Sequence, residues 1–421
     1  MAPPRALPVA RLIGIGAGGL ALAAIWGTYN VFMPLLLGDF VESRALRGAI
    51  MGLDNVVALL LIPLVGAWSD RVDGRWGRRL PFLLAGVPLA ALTFAGLPWA
   101  ATALWTLLAL DVVFLLSITL YRAPLVALLP DHVAPPERAA GNGIITLMSA
   151  VGGVIALVWI APAFDVARWL PFAGAAALAL VALAVVLASA QPHPPYVEHG
   201  AVQDDAPVLG GLLRDLRGLA HPGHRGPALL LAGLFCCFFG FAAVEAQFSV
   251  VATETLGLSG GQAGRLLGAA SAAFVVLALP AGFAARRVGE LRVMRGGALL
   301  LAAALLLAAA LLLVAALPPA AVLAACMTLA GAGWAFVLVP AYPLVANQGG
   351  RDRVGFFTGL YYLFGSGAAI VAPGLVGASM DAFGNRALFV AAAAALVVGV
   401  AVLAAAARHG VQGAREAPAE A

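Results

Sequence analysis

Residues 48–82 read GAIMGLDNVVALLLIPLVGAWSDRVDGRWGRRLPF. An apolar run long enough to cross a bilayer comes first. A short polar knot follows, Asp70-Arg71-Val72-Asp73-Gly74-Arg75-Trp76-Gly77-Arg78-Arg79, and Pro81 opens the next apolar run. Two hydrophobic helices joined by a tight, Arg-rich turn predict a membrane hairpin with its turn in the cytoplasm. Asp54 lies inside the first helix, where a charge is costly and tends to be functional.

The rest of the chain has the same composition. Of its 421 residues 63% are hydrophobic and 10% charged, with a mean hydropathy of +1.00; a soluble domain carries roughly 25% charged residues. Apolar residues recur in blocks of about 20, the length a helix needs to span hydrocarbon. The fold class is therefore an all-α, polytopic membrane protein. All 24 basic residues are Arg. The net charge of +4 is not a nucleic-acid signal, because the Arg residues are spread over short loops. Cys236, Cys237 and Cys326 fall inside apolar runs and read as small buried groups. The six His are read as loop or tail residues, and no His/Cys/carboxylate cluster has metal-ligand spacing, which argues against a membrane enzyme. The first apolar run lacks a clean cleavage site and is read as a span rather than a signal peptide.

In order, the first eight spans are expected at about 11–37, 48–68, 80–98, 102–129, 140–162, 168–188, 226–251 and 263–285; the ninth follows a short Arg-rich turn and runs to 317, the tenth and eleventh cover about 320–346 and 355–380, and the twelfth ends near 407. The string Gly14-Ile15-Gly16-Ala17-Gly18-Gly19 follows no strand and reads as close helix packing, not a dinucleotide loop. Residues 1–188 form a first six-helix bundle, 189–225 a hydrophilic cytoplasmic linker, 226–407 a second bundle and 408–421 a cytoplasmic tail. With the N-terminus inside, only Arg44, Arg47, Arg168, Arg265 and Arg386 fall on the outer side, and Arg122 in mid-membrane. That asymmetry places both termini in the cytoplasm. The 6+6 pattern suggests parallel repeats and alternating access. Asp70, Arg71, Arg78 and Arg79 are gating candidates that would hold one half against the other.

Asp54, Asp111, Arg122 and Glu245 lie deep in apolar runs, where each would cost about 2.5–3.5 kcal/mol facing lipid at mid-helix. Asp111 and Arg122 stand 11 residues apart on one helix, which returns to nearly the same azimuth about 16 Å along. Asp111 is the candidate proton carrier, burial favouring its protonated form, with Arg122 to bind a polar substrate or drive proton release. Asp54 lies roughly 24 Å up the helix from Asp70. With Glu245, Gln247, Tyr29, Asn30, Tyr121, Tyr342 and Tyr361 it makes up the substrate-binding candidates; sugar rings stack on aromatic faces and bond at their edges. Asn55 is expected to point away from Asp54, and Glu254 to lie in an outer loop.

Four stretches carry a resemblance: SDRVDGRWGRRLPF (69–82), LDVVFLLSITLYRAP (110–124), LLPDHVAPPERAAGNG (128–143) and WAFVLVPAYPLVANQGGRDRVGFFTGLYYLFGSGAAIVAPGLVG (334–377). In these the chain resembles the major facilitator superfamily, in particular the proton-coupled sugar transporters of the plant sucrose carrier and animal sucrose-transporter-like group. It is more distantly similar to the glycoside–pentoside–hexuronide cation symporters. The resemblance implies a fold of twelve transmembrane helices in two six-helix bundles and sugar uptake driven by a proton gradient. It assigns proton coupling to Asp111 and Arg122, which match the helix 4 Asp and the Arg 11 residues later. Sodium-coupled melibiose-type carriers keep two carboxylates before a Pro-x-x-Gly on helix 2. Here those positions are Ala58 and Ile62, a departure that favours H⁺ over Na⁺. The segment FFGFAAVEAQFSVVATETLG (238–257) matches only loosely.

The expected function is thus proton-coupled symport of a mono- or disaccharide by a monomeric carrier in a bacterial inner membrane. It needs no cofactor beyond H⁺ and no nucleic acid, only a small polar substrate and the bilayer. The alternative is a proton-coupled exporter of drugs or lipids in the same fold, which would want a largely apolar cavity.

Overall fold

The computed structural model describes residues 9–72, 74–196, 225–314, 320–349 and 353–411. Most of the expected linker (197–224), the tail beyond Val411, the Pro318-Pro319 turn, Asp73 and Arg351-Asp352 lie outside the described residues. Twelve helices are long and apolar enough to cross a membrane, and the described residues contain no strand. The α-helices that make up these spans are α1 Val9–Gly38, α2 Arg44–Arg71, α3 Leu80–Ala100, α4 Leu104–His132, α5 Arg138–Val154, whose span continues irregularly to Asp165, α6 Leu170–Ser189, α7 Arg225–Glu254, α8 Gly260–Val288, α9 Glu290–Val314, α10 Ala320–Ala346, α11 Val354–Phe383 and α12 Ala387–Arg408. The protein is an all-α membrane protein of the twelve-helix class expected from its hydropathy.

Two boundaries depart instructively from the expected ones. α5 does not run straight to its end: it slips into a π-helical turn at Ile155–Ile160 and a 3₁₀ stretch at Ala161–Asp165. Pro162, with no N–H to donate, sits inside that stretch. α8 starts at Gly260 rather than Ala263, because Ser259 caps it. The Ser259 hydroxyl accepts the Gln262 N–H at 3.1 Å while Gln262 Oε1 accepts the Ser259 N–H at 2.9 Å, a reciprocal capping box.

By internal contact the helices gather into two compact units. One contains α1, α2 from Val56 onward, α3 to α6, and the start of α8 as far as Gly268. Its centre is aromatic: Phe32 stacks on Phe164 at 4.3 Å, and Phe94 packs against Phe114 and Phe172, each at 5.0 Å between ring centroids. α1 runs through this unit against α5 and α6. The glycines of its first half make that approach possible, as small residues do where helices meet in lipid. A Cβ on Gly16 would fall 2.9 Å from Met148 and one on Gly19 2.6 Å from Ser149. The closest approach is from the other side, where Gly152 of α5 lies against the backbone carbonyl of Leu20. Gly152→Val is therefore expected to separate α1 from α5 and lower stability by about 1–3 kcal/mol, read as an earlier thermal unfolding transition in detergent.

The second unit contains residues 43–55 of α2, α7, α8 from Ala269 onward, and α9 to α12. α7 pairs with α12 and α11, and α9 with α10 and α12. Here too glycine sets the contact: Gly297 of α9 and Gly333 of α10 face each other, each with the partner's carbonyl within 2.7 Å of where a Cβ would stand.

Candidate transport site and the basic turn

In the first unit, α4 carries Asp111 on the face that meets Tyr29 of α1. Asp111 is 3% exposed, and the Tyr29 hydroxyl, itself fully buried, donates to its Oδ2 at 3.3 Å. Trp26 meets Tyr29 edge-on at 5.4 Å, and Phe114 lies 5.6 Å from the same ring. A carboxyl group is thus held by a phenol within an aromatic enclosure inside a membrane-spanning helix. Two residues singled out for different tasks, Tyr29 for substrate and Asp111 for protons, are brought into one hydrogen bond. Arg122, three turns further along α4, is partly buried, as is Asn30 beside Tyr29. Tyr121 is 3% exposed and lines a small apolar cavity with Leu83, Val87, Leu125 and Ala179, away from the Asp111 face.

In the second unit Asp54 is partly buried, and Asn55 does not point away from it as expected. Asn55 Nδ2 donates to Asp54 Oδ1 at 2.6 Å. The neighbours can bond because the amide reaches back along the helix surface. Gln247 is 1% exposed, with Nε2 donating to the carbonyls of Arg44 and Pro373, both at 3.1 Å. In this arrangement its amide ties α7 to α2 and α11. Glu245, two residues before it and partly buried, projects about 160° away around the helix. Tyr342 and Tyr361 belong to an aromatic wall. Tyr361 meets Tyr342 and Phe238 edge-on at 5.6 Å each, and Phe241 stacks flat on Trp334 at 4.0 Å. The Tyr342 hydroxyl stands 3.5 Å from Thr358 Oγ1. Phe238 and Phe241 were not among the expected residues; their i, i+3 spacing in FFGF was the available signal.

The basic turn is organised by Arg79. Its Nη2 pairs with Asp70 at 2.5 Å, its Nε donates to Asp131 at 3.0 Å, and its Nη1 donates to Ser69 Oγ at 2.5 Å. These bonds join the end of α2, the start of α3 and the end of α4, all within the first unit. Arg71 is exposed, and Arg78 lines a cavity with Gly77, Leu128 and residues 191–194. Gly77 has φ +69° and the Pro192 carbonyl pressed against its Cα, a position open only to glycine. Asp131 and Ser69 were missed by the sequence reading, as was His132, which is not a loop residue. It ends α4, 3% exposed, with Nδ1 donating to the Leu128 carbonyl at 2.8 Å and Nε2 accepting the Gln191 N–H at 2.9 Å. Those two bonds define a neutral ring protonated on Nδ1. The Tyr196 N–H adds a bond to the Asp131 carbonyl at 3.1 Å, so residues 191–196 are strapped across the turn.

At the far end of α2, Glu254 is the last residue of α7 rather than part of a loop. It pairs with Arg44 at 2.6 Å and Arg47 at 2.8 Å. Among the described residues no group of three or more His, Cys, Asp or Glu could hold a metal ion, and all three cysteines are free.

Twelve helices long and apolar enough to cross a membrane, several of them with a carboxyl or guanidinium group within the span, define a membrane protein with polar sites inside its spans. The sequence pattern of the Major Facilitator Superfamily matches residues 15–251 and again 230–421, and the chain belongs to that family. It is a transporter and not an enzyme. Mouse solute carrier family 45 member 3 is 30% identical over 154 residues, 34% of this chain and 28% of that protein. An uncharacterised symporter, sll1374, of Synechocystis sp. is 29% identical over 160 residues, 35% of this chain and 29% of that one. The sucrose transport protein SUC3 of Arabidopsis thaliana is 26% identical over 121 residues, 24% and 20%. The chain thus spans less than a third of the length of each of these relatives. Among solved structures, a bacterial homologue of the human lysosomal transporter Spinster, inward-facing and occupied, superposes with a TM-score of 0.73 at 15% identity, over 94% of this chain and 96% of that one. A POT peptide transporter gives 0.73 at 16% identity, over 95% of each chain. At such identity these two share the fold.

Proposed function

We propose that this chain is a secondary active transporter that carries a sugar into the cell together with a proton. The observation that carries the reading is Asp111: a carboxyl group 3% exposed in a membrane-spanning helix, bonded to the Tyr29 hydroxyl. A buried acid of this kind is costly to keep and marks a proton or substrate path. The relatives named as a sucrose transport protein and a symporter support the same assignment. Asp111 takes up and releases the proton, and Arg122, on the same azimuth of α4, lends the positive charge that favours release. Asp54, Glu245, Tyr342 and Tyr361 offer hydroxyl partners and stacking faces to a sugar. The gating role of Asp70, Arg71, Arg78 and Arg79 belongs to this reading, as does a monomeric carrier in a bacterial inner membrane with both termini cytoplasmic. So do bundles over 1–188 and 226–407, the linker 189–225 between them and the tail 408–421.

Uptake into proteoliposomes tests it. Radiolabelled sucrose, maltose, glucose and xylose are offered with and without an inward proton gradient. At least one is expected to accumulate above its equilibrium level only when the gradient is present. Movement of hydrophobic cations with no sugar accumulation would instead favour the exporter reading.

A further inference from the structure

The segment Gln191-Pro192-His193-Pro194-Pro195-Tyr196 leaves the end of α6 and lies across the basic turn. Three of its six residues are proline and have no N–H to donate. It can therefore hold on through the backbone N–H groups of Gln191, His193 and Tyr196 alone. Two of these go to the last two residues of α4. The Tyr196 N–H donates to the Asp131 carbonyl at 3.1 Å, and the Gln191 N–H donates to His132 Nε2 at 2.9 Å. The remaining close approach, the Pro192 carbonyl against Gly77, is contact without a bond.

One of the two bonds thus ends on a titratable acceptor. The Nδ1–H of His132 is committed to the Leu128 carbonyl, so Nε2 is the one ring nitrogen left to accept. A proton on Nε2 turns that acceptor into a donor, and two N–H groups then face each other. The ring is buried and anchored through Nδ1, whereas Gln191, Pro192 and His193 are exposed, so relief comes from the strap. Charged groups surround the ring from every side. Asp131 beside it is paired with Arg79 of the turn, and α1 brings Arg11. Arg138, at the start of α5 just after Glu137, donates to the carbonyls of Pro130 and Val133. Arg78 and His193 line the cavity under the strap. An imidazolium among these guanidinium groups is relieved by water, and lifting the strap admits water.

We propose that His132 is the catch of an acid-released clasp: with a neutral ring it fastens residues 191–196 across the basic turn, and with a protonated ring it lets them go. Histidine is the side chain whose charge ordinarily changes between pH 5 and 8, so the clasp answers to modest acidification. Release uncovers Leu80 and Leu128, which line the cavity beneath the strap and are 3% and 1% exposed while it is fastened. It also opens the Arg79–Asp131 pair to water, which screens it. The inference uses the basic turn alone and stands whether or not the carried substrate is a sugar.

The test uses the purified full chain in detergent, with Cys236, Cys237 and Cys326 replaced by serine and spin labels attached at Arg75→Cys and His193→Cys. Both sites are exposed, and the second change also removes the strap's own imidazole. The distance between the labels is measured by EPR at pH 8 and at pH 5.5. A narrow, short-distance population is expected at pH 8, and roughly half of it or more should pass to a longer, broader one at pH 5.5, below the ordinary histidine range. His132→Gln, whose amide oxygen can accept the Gln191 N–H and does not titrate, should keep the narrow population at both pH values. Gln191→Pro removes that single N–H. Ala190 before it is already extended, with φ −82° and ψ 139°, as a residue preceding proline prefers to be, so this variant should show the released population at pH 8. A narrow population that persists at pH 5.5 with His132 in place overturns the proposal. So does a pH response that survives undiminished in His132→Gln, which would assign it to Asp131 or Glu137. A strap still fastened in Gln191→Pro overturns it as well, and that variant decides the matter should His132→Gln fail to fold.

Discussion

Asp111→Asn is expected to abolish proton-driven accumulation of sugar, cutting the initial uptake rate by about 100-fold or more, the scale at which a positioned proton-transfer group contributes. The amide keeps the shape of the carboxyl group and can still accept the Tyr29 hydroxyl, so the aromatic enclosure of Trp26, Tyr29 and Phe114 has no reason to repack. What is lost is the titrating site alone. Exchange of labelled for unlabelled sugar across a membrane at equal pH requires no net proton movement, and should survive in the variant. Accumulation and exchange are measured in the same proteoliposomes. Loss of both, with the protein still monodisperse, would make Asp111 a substrate ligand rather than a proton carrier.

Arg79→Ala should produce the largest loss of stability among substitutions at the basic turn, about 3 kcal/mol. The side chain is 11% exposed and so is that of Asp131, so removing the guanidinium strands a buried carboxylate. Asp70, at 57% exposure, is screened by water, and Asp70→Ala should cost less than about 1 kcal/mol. Adding Asp131→Asn to Arg79→Ala should recover part of the loss, since the stranded charge is then gone. Chemical denaturation in detergent reads all three. Equal effects from Asp70→Ala and Arg79→Ala would show that the Asp131 contact carries no special weight.

The twelve spans were legible in the sequence because bilayer thickness imposes a run length that few other constraints imitate. The slip at Ile155–Asp165 was not, since hydropathy is blind to which carbonyl an N–H chooses; Pro162 was its one trace. Within the site, Asp111 stood out as an acid in an apolar helix and Tyr29 as a phenol in another. Their hydrogen bond spans 82 residues of chain and depends on how α1 packs on α4, which no local pattern encodes. The start of α8 was half visible, because Ser259 and Gln262 form a readable capping box. Gln247 illustrates the opposite case. A polar residue in a membrane helix invites a substrate role, but in the folded chain its amide bonds two backbone carbonyls.

Proton coupling through α4 is tested most directly by a pH electrode in a lightly buffered suspension of proteoliposomes to which a transported sugar is added without any imposed gradient. The wild-type chain should make the external medium more alkaline as sugar enters, and the Asp111→Asn chain should leave it unchanged. Alkalinisation that persists undiminished in Asp111→Asn, or sugar entry with no proton movement in the wild type, would contradict it.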